Sequence, residues 1–149
     1  MSTRASYYKL NRPAVDALNA VGKQVPSIDA KLRALVELRV SQINGCAYCV
    51  DLHSTQARSH GETQQRLDCL PAWWECDFFD EAEQAAFRWA EALTEIASKR
   101  APDELYEALK PHYSEQQIVD LTFIIATMNA WNRVAIAHRT HPAKRATGQ

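Results

Sequence analysis

Glycine is scarce, with 4 in 149 residues, and no stretch shows the short, turn-punctuated alternation that strands need. A strand-built core is therefore excluded and helix is the favoured element. Long apolar runs are also missing. The longest fall far short of the roughly 20 residues that span a bilayer, which argues against a membrane protein. Met1 to Leu10 carries polar and aromatic residues but no apolar h-region, so secretion is not indicated and the cytoplasm is the expected compartment. No Gly-, Ser- or Pro-rich linker, internal repeat or low-complexity run divides the chain. Charge of one sign is absent too: the formal net charge is -1, with acids and bases interspersed. Without a basic face, nucleic acid is not an expected partner.

What is present fits one soluble domain over residues 1–149. Hydrophobic residues make up 46% and charged residues 23%, ordinary values for a globular chain, and the length suffices for a core without staples. The spacing predicts an all-α bundle of six to seven helices crossing orthogonally. Pro13 to Val21 reads as a short helix with proline in its first turn. Ser27 is expected to cap a second, carrying Leu32, Leu35, Val36, Val40 and Ile43 on its apolar side. Asn44-Gly45 breaks it, and a third helix runs from Cys46 to His60, stopped by Gly61. Glu62 to Leu70 follows, ended by Pro71. Asp80 and Glu83 have capping-box spacing ahead of a helix through Ala97, with Phe87, Ala90, Leu93 and Thr94 at helical intervals. Pro102 to Leu109 is a short amphipathic helix. Ser114 and Gln117 again form a capping box, opening a long helix from Glu115 to His138. That helix is apolar on more than one face, so burial on several sides is expected, with a neighbouring subunit as one cover. His141 to Gln149 is expected to fray.

The chain has 4 cysteines, and two form a Cys-x-x-Cys pair in the run Ser41-Gln42-Ile43-Asn44-Gly45-Cys46-Ala47-Tyr48-Cys49-Val50-Asp51-Leu52-His53. If a helix starts at Cys46, that residue sits where free amides and the helix dipole favour a thiolate. Cys46 and Cys49, three apart, share a face within disulfide reach. His53 is four residues beyond Cys49, one turn along the same face and about 6 Å further along the axis. A thiolate attacks a peroxide oxygen or a disulfide sulfur, and a second thiol three residues away resolves the product as an intramolecular disulfide. His53 is the base in reach.

At Ser41 to His53 the chain resembles the carboxymuconolactone decarboxylase / alkyl hydroperoxidase D-like family, in its peroxidase-related branch. That branch carries a Ser-Gln-x-Asn-Gly-Cys-x-x-Cys-x-x-x-His signature. Trp73-Trp74 and Asn129-Ala130-Trp131-Asn132-Arg133 also look like it, and the likeness extends over nearly the whole chain. The resemblance implies an all-helical fold that assembles as a homo-oligomer, trimer or hexamer, through apolar helices. It implies a peroxidase needing no cofactor or metal, in which Cys49 attacks a small hydroperoxide and Cys46 resolves the sulfenic acid. His53 would relay the proton, helped by a glutamate on the preceding helix, and a lipoyl-bearing or thioredoxin-like dithiol would return the electrons. The family glutamate stands twelve residues before the first cysteine, and Ala34 occupies that place here. Glu37, three residues on, is the candidate substitute, set against a solvated helix carboxylate. The nucleophile is assigned to Cys49: a base within one turn deprotonates on demand, whereas a dipole only shifts an equilibrium.

Other readings stay open beside this one. A regulatory disulfide in a redox-sensing or partner-binding protein would use the same pair. A decarboxylase of the same fold would have no need of it. A zinc site could use both sulfurs and His53, but His60, His112, His138 and His141 are too scattered to complete a ligand set. Cys69 and Cys76, in an apolar and aromatic stretch, read as small buried hydrophobes. Trp73, Trp74, Trp89 and Trp131 read as core or interface anchors. Tyr48 could line a substrate entrance or simply pack. Asn129, Asn132 and Arg133 need hydrogen-bond partners if buried, and bracing the cysteine helix or a subunit contact would supply them.

Overall fold

The computed structural model describes residues 2–145, and within them every regular element is helical. Asn11 opens the first long element: its side chain accepts the Ala14 N–H, and Pro13 lies in the first turn. The resulting helix, α2, covers Arg12–Lys23, preceded by a four-residue helix, α1 (Tyr7–Leu10). α3 spans Ala30–Asn44 and is capped by Asp29, whose carboxylate accepts the Lys31 and Leu32 N–H groups. Ser27 is therefore not the cap. Its hydroxyl donates instead to Asp120 Oδ2 at 2.7 Å, fastening this loop to the last helix. Gly45 ends α3 in the left-handed region at φ 69°, where other residues are strained. The Cys46 N–H then donates to Ser41 O at 3.0 Å, which closes the turn into α4 (Ala47–Ser59) with Cys46 as its N-cap.

Gly61, at φ 85°, turns the chain out of α4. Thr63 caps α5 (Gln64–Cys69), and a 3-10 stretch, Leu70–Glu75, continues through Pro71 with a kink at Ala72. The α-helix expected to end at Pro71 does end there, at Cys69, and the proline sits in the first turn of the 3-10 segment, where its missing N–H costs nothing. Both capping boxes form: Asp80–Glu83 opens α6 (Glu81–Thr94), and Ser114–Gln117 opens α9 (Glu115–Ala137). Between them lie α7 (Ile96–Lys99) and α8 (Asp103–Leu109). The nine α-helices among the described residues exceed the expected six to seven because α1, four residues long, carries no readable periodicity and because the helix expected to run through Ala97 breaks at Glu95 into α6 and α7. The expected frayed tail leaves the helix after Ala137, yet Arg145 ties back to α4 through Asp51 and Thr55. Residues 146–149 lie outside the described residues.

α3 is the central element, packed against α4, α6 and α9. Leu35, Val36, Leu38 and Val40 are buried on different sides of it, and Phe87 of α6 and Leu121 and Ile125 of α9 meet them in one core. Burial of this kind stabilises by about 25 cal/mol per Å² of apolar surface, so enclosing α3 contributes more than any local propensity. Of the tryptophans, Trp73 and Trp89 are core residues, whereas Trp74 stays 54% exposed beside the Arg39 guanidinium. Cys69 and Cys76 are half-buried, not enclosed as expected, because the segment between them runs near the surface. One face of α9 also stays open, with Val119, Phe123 and Ile136 about half exposed.

A polar seam fixes how α9 sits on α3. Asn132, fully buried, donates to Ser41 Oγ at 3.1 Å and accepts from Asn44 Nδ2 at 2.9 Å. Asn44 also donates to Asn129, and Asn129 donates to Thr94 Oγ1 of α6. The asparagines thus brace the turn that leads into the cysteine helix, not that helix itself. Replacing Asn132 with alanine leaves buried partners unpaired, at a cost of about 1–3 kcal/mol. Urea denaturation of Asn132→Ala against wild type is expected to show that loss as a lower midpoint with an unchanged slope.

Candidate active site

Cys46 and Cys49 are joined as a disulfide with their Cα atoms 5.3 Å apart, the separation that one helical turn from N-cap to third residue provides. The Cys49 N–H donates to Cys46 Sγ at 3.4 Å, so the first sulfur occupies the acceptor position that caps α4. Both residues are nearly enclosed, at 2% and 3% exposure. They differ in what they face. Cys49 lines a cavity of about 420 Å³ together with His53 and Glu37, while Cys46 is not part of its wall.

Packing of α3 on α4 sets the histidine. Glu37 Oε2 lies 3.2 Å from His53 Nδ1, and Gln56 Oε1 lies 2.8 Å from the same nitrogen. Two acceptors on one nitrogen call for a proton there, which leaves Nε2 of the neutral ring bare. Glu37 is itself held from the other side: Arg33 Nε donates to Oε1 at 3.0 Å while its Nη1 donates to Gly22 O at 2.7 Å. A Cβ on residue 22 would stand 2.9 Å from Arg33 Nη2, so glycine there leaves room for the guanidinium. Ala34, at the place where the resemblance puts its glutamate, supplies only apolar wall. Glu37 instead reaches His53 from α3 and is 13% exposed, so it is no solvated side chain.

Burial alone would raise the Glu37 pKa. The hydrogen bonds from His53 and Arg33, with the charge of Arg33 and that of His53 when its ring is protonated, outweigh it and hold the carboxyl below its ordinary value. Among the described residues, no group of three or more His, Cys, Asp or Glu side chains is placed to hold a metal ion.

Sequence reasoning named Cys46, Cys49, His53 and Glu37; the fold sets Glu37 on α3 and the other three at the cap and on the body of α4, and Glu37, Cys49 and His53 line the cavity. It missed Gln56 and Arg33. Gln56 is three residues past His53 and Arg33 four before Glu37, both standard same-face spacings on a helix. It missed Tyr7 and Tyr8 as cavity walls as well, since α1 gave no signal. Tyr48 and Trp131 do line the cavity, as does the exposed His60.

The family model for the carboxymuconolactone decarboxylase family matches residues 12–92. The chain is a member of that family. The uncharacterized protein YdfG of Bacillus subtilis is 48% identical over 139 residues, covering 92% of this chain and 95% of that one. Alkyl hydroperoxide reductase AhpD of Hyphomonas neptunium is 36% identical over 55 residues, 37% of this chain and 29% of that protein. Among solved structures, a protein of unknown function from Agrobacterium tumefaciens, named as a candidate antioxidant defence protein AhpD, superposes with a TM-score of 0.91 at 36% identity. That match takes in 96% of this chain and all of the other. The all-helical fold of this family member is thus the AhpD-like one.

The depressed pKa of Glu37 has a signed consequence for stability. Its ion pairs contribute fully above the unfolded-state glutamate pKa of about 4.3 and are lost as pH falls through the lower folded value. Wild type is expected to be more stable than Glu37→Gln by about 1–2 kcal/mol near neutrality. The gap should narrow as pH falls below about 4.3 and close once pH is below the folded value. Chemical denaturation of both proteins from pH 7 to pH 3 measures it.

Proposed function

We propose that this protein is a thiol peroxidase that reduces an organic hydroperoxide at Cys49. The observation that carries the reading is the shared cavity: Cys49 and His53 both line it, and Glu37 and Gln56 hold the ring proton on Nδ1. In the reduced enzyme, bare Nε2 of His53 takes the proton of the Cys49 thiol. The thiolate attacks the terminal peroxide oxygen, a sulfur–oxygen bond forms and the oxygen–oxygen bond breaks. The departing alkoxide takes the proton back from His53 and leaves as an alcohol. Cys49 is then a sulfenic acid, oxidised by two electrons.

Cys46 completes the cycle. As N-cap of α4 it is favoured as a thiolate by the free amides and the helix dipole. It attacks the Cys49 sulfur, the hydroxyl leaves as water with one proton, and the disulfide forms. A dithiol donor, lipoyl-bearing or thioredoxin-like, returns two electrons and two protons by exchange and ends as its own disulfide. The same reading sets the reaction in the cytoplasm, where such donors are kept reduced. It also has copies of the chain associating as a trimer or hexamer, with the open apolar face of α9 at a contact. The AhpD relative supports the peroxide substrate by its name, and the debrominase Bmp8, a structural neighbour at 22% identity, has the fold in common.

Cys49→Ser is expected to abolish hydroperoxide consumption with a dithiol donor. Cys46→Ser should consume one equivalent and stop, leaving a sulfenic acid that a cyclic 1,3-diketone traps. Glu37→Gln should slow turnover by about 10²–10⁴-fold, the usual worth of base assistance. The opposite cysteine pattern would reverse the assignment, and full activity in Glu37→Gln would remove the relay.

A further inference from the structure

Part of the cavity wall comes from a segment that the family match leaves out. That match starts at residue 12, while Tyr7 and Tyr8 of α1 both line the cavity. The segment is strapped across the end of α9 by two bonds: the Arg4 N–H donates to His138 O at 3.0 Å, and Arg4 Nη1 donates to Ala137 O at 2.9 Å. Tyr7 packs on the His138 ring at 5.4 Å and on Trp131 at 6.4 Å between centroids, and Tyr8 stacks on Tyr7 at 4.8 Å with planes 32° apart. Tyr48, next in sequence to Cys49 on its helix side, faces the same space, and its phenol is near enough to Tyr8 to help raise that tyrosine's pKa, after partial burial and Tyr7.

Tyr7, Tyr8 and Tyr48 thus give three aromatic rings to the wall of the cavity that Cys49 also lines. Hydrogen peroxide would use almost none of it. A cavity of about 420 Å³ is within the range that encloses a small organic ligand. Aromatic ligands gain from offset and edge-on contact with such rings beyond what area alone supplies, and a compact aliphatic group does not.

We propose that the N-terminal strap is a specificity element, with Tyr7 and Tyr8 selecting hydroperoxides carried on an aryl group. This rests on the peroxidase reading for its chemistry but not for its binding. Tyr8 is 46% exposed on a four-residue helix, so its truncation leaves the core intact.

Two measurements test it on the full-length protein. The first needs no turnover: saturable quenching of tryptophan fluorescence by 2-phenylpropan-2-ol, the alcohol that cumene hydroperoxide leaves, with tert-butanol as the aliphatic control. Wild type and Tyr8→Phe should bind the aryl alcohol, Tyr8→Ala about tenfold more weakly, and tert-butanol should bind more weakly than either. The second is the ratio of kcat/KM for cumene hydroperoxide over tert-butyl hydroperoxide. It should fall about tenfold in Tyr8→Ala and partly in Arg4→Ala, mainly through KM, and return in Tyr8→Phe. Equal aryl binding by wild type and Tyr8→Ala, equal binding of both alcohols, or a ratio that stays within about twofold overturns the proposal. A wild type that binds the aryl alcohol tightly but consumes no peroxide sinks the function and leaves the specificity element standing.

Discussion

The contact between Glu37 and His53 is the constraint on which the site depends. It joins the central helix of the fold to the helix that carries Cys49 and is capped by Cys46. Without it only Gln56 would hold the ring proton on Nδ1, and in the proposed cycle Cys49 would have a less dependable base. The contact exists because α3 is packed on three sides, which fixes its rotation and points Glu37 at α4. Arg33 then holds the second carboxylate oxygen, and Gly22 makes space for Arg33. A chain of small steric and electrostatic choices thus ends in one nitrogen lone pair. Buried ion pairs are seldom a net source of stability. This one has a clear alternative use, which is to decide where a proton sits.

Two further features make the arrangement directional. Gly45 and the Ser41–Cys46 backbone bond place the first sulfur at the helix cap, behind the cavity wall. The second sulfur, one turn on, faces the open space. The cap favours a thiolate that waits, and the cavity favours one that meets substrate. The asparagine seam of Asn44, Asn129 and Asn132 keeps this turn fixed against α9. Cys69 and Cys76, half-buried and distant in the fold, stand outside this logic.

Much of the fold could be read from local chemistry. The Asp80–Glu83 and Ser114–Gln117 boxes, the Gly45 and Gly61 stops and the cysteine helix are set by residues a few positions apart, and they form as their spacing says. The failures have a common cause. Ser27 looked like a cap, but Asp29 was better placed and Asp120, ninety-three residues away, claimed the serine hydroxyl. The short helices α1 and α7 depend on what they pack against, as Tyr7 does on Trp131 and His138. In the site, Cys46, Cys49 and His53 follow from one helix's periodicity. That Glu37 and not a residue at position 34 meets the histidine is a matter of how two helices are rotated against each other. Sequence spacing could nominate the carboxylate but not aim it. The aromatic wall was invisible for the same reason, since its residues meet only after the chain has folded back on itself.

The most direct measurement is a single stoichiometric reaction. Fully reduced protein is mixed with one equivalent of organic hydroperoxide, and all four cysteines are mapped by differential alkylation and mass spectrometry. The account requires that the peroxide be consumed as Cys46 and Cys49 disappear together into an internal disulfide, with Cys69 and Cys76 still open to alkylation. Peroxide left unreacted, or oxidation that starts at Cys69 or Cys76, would contradict it.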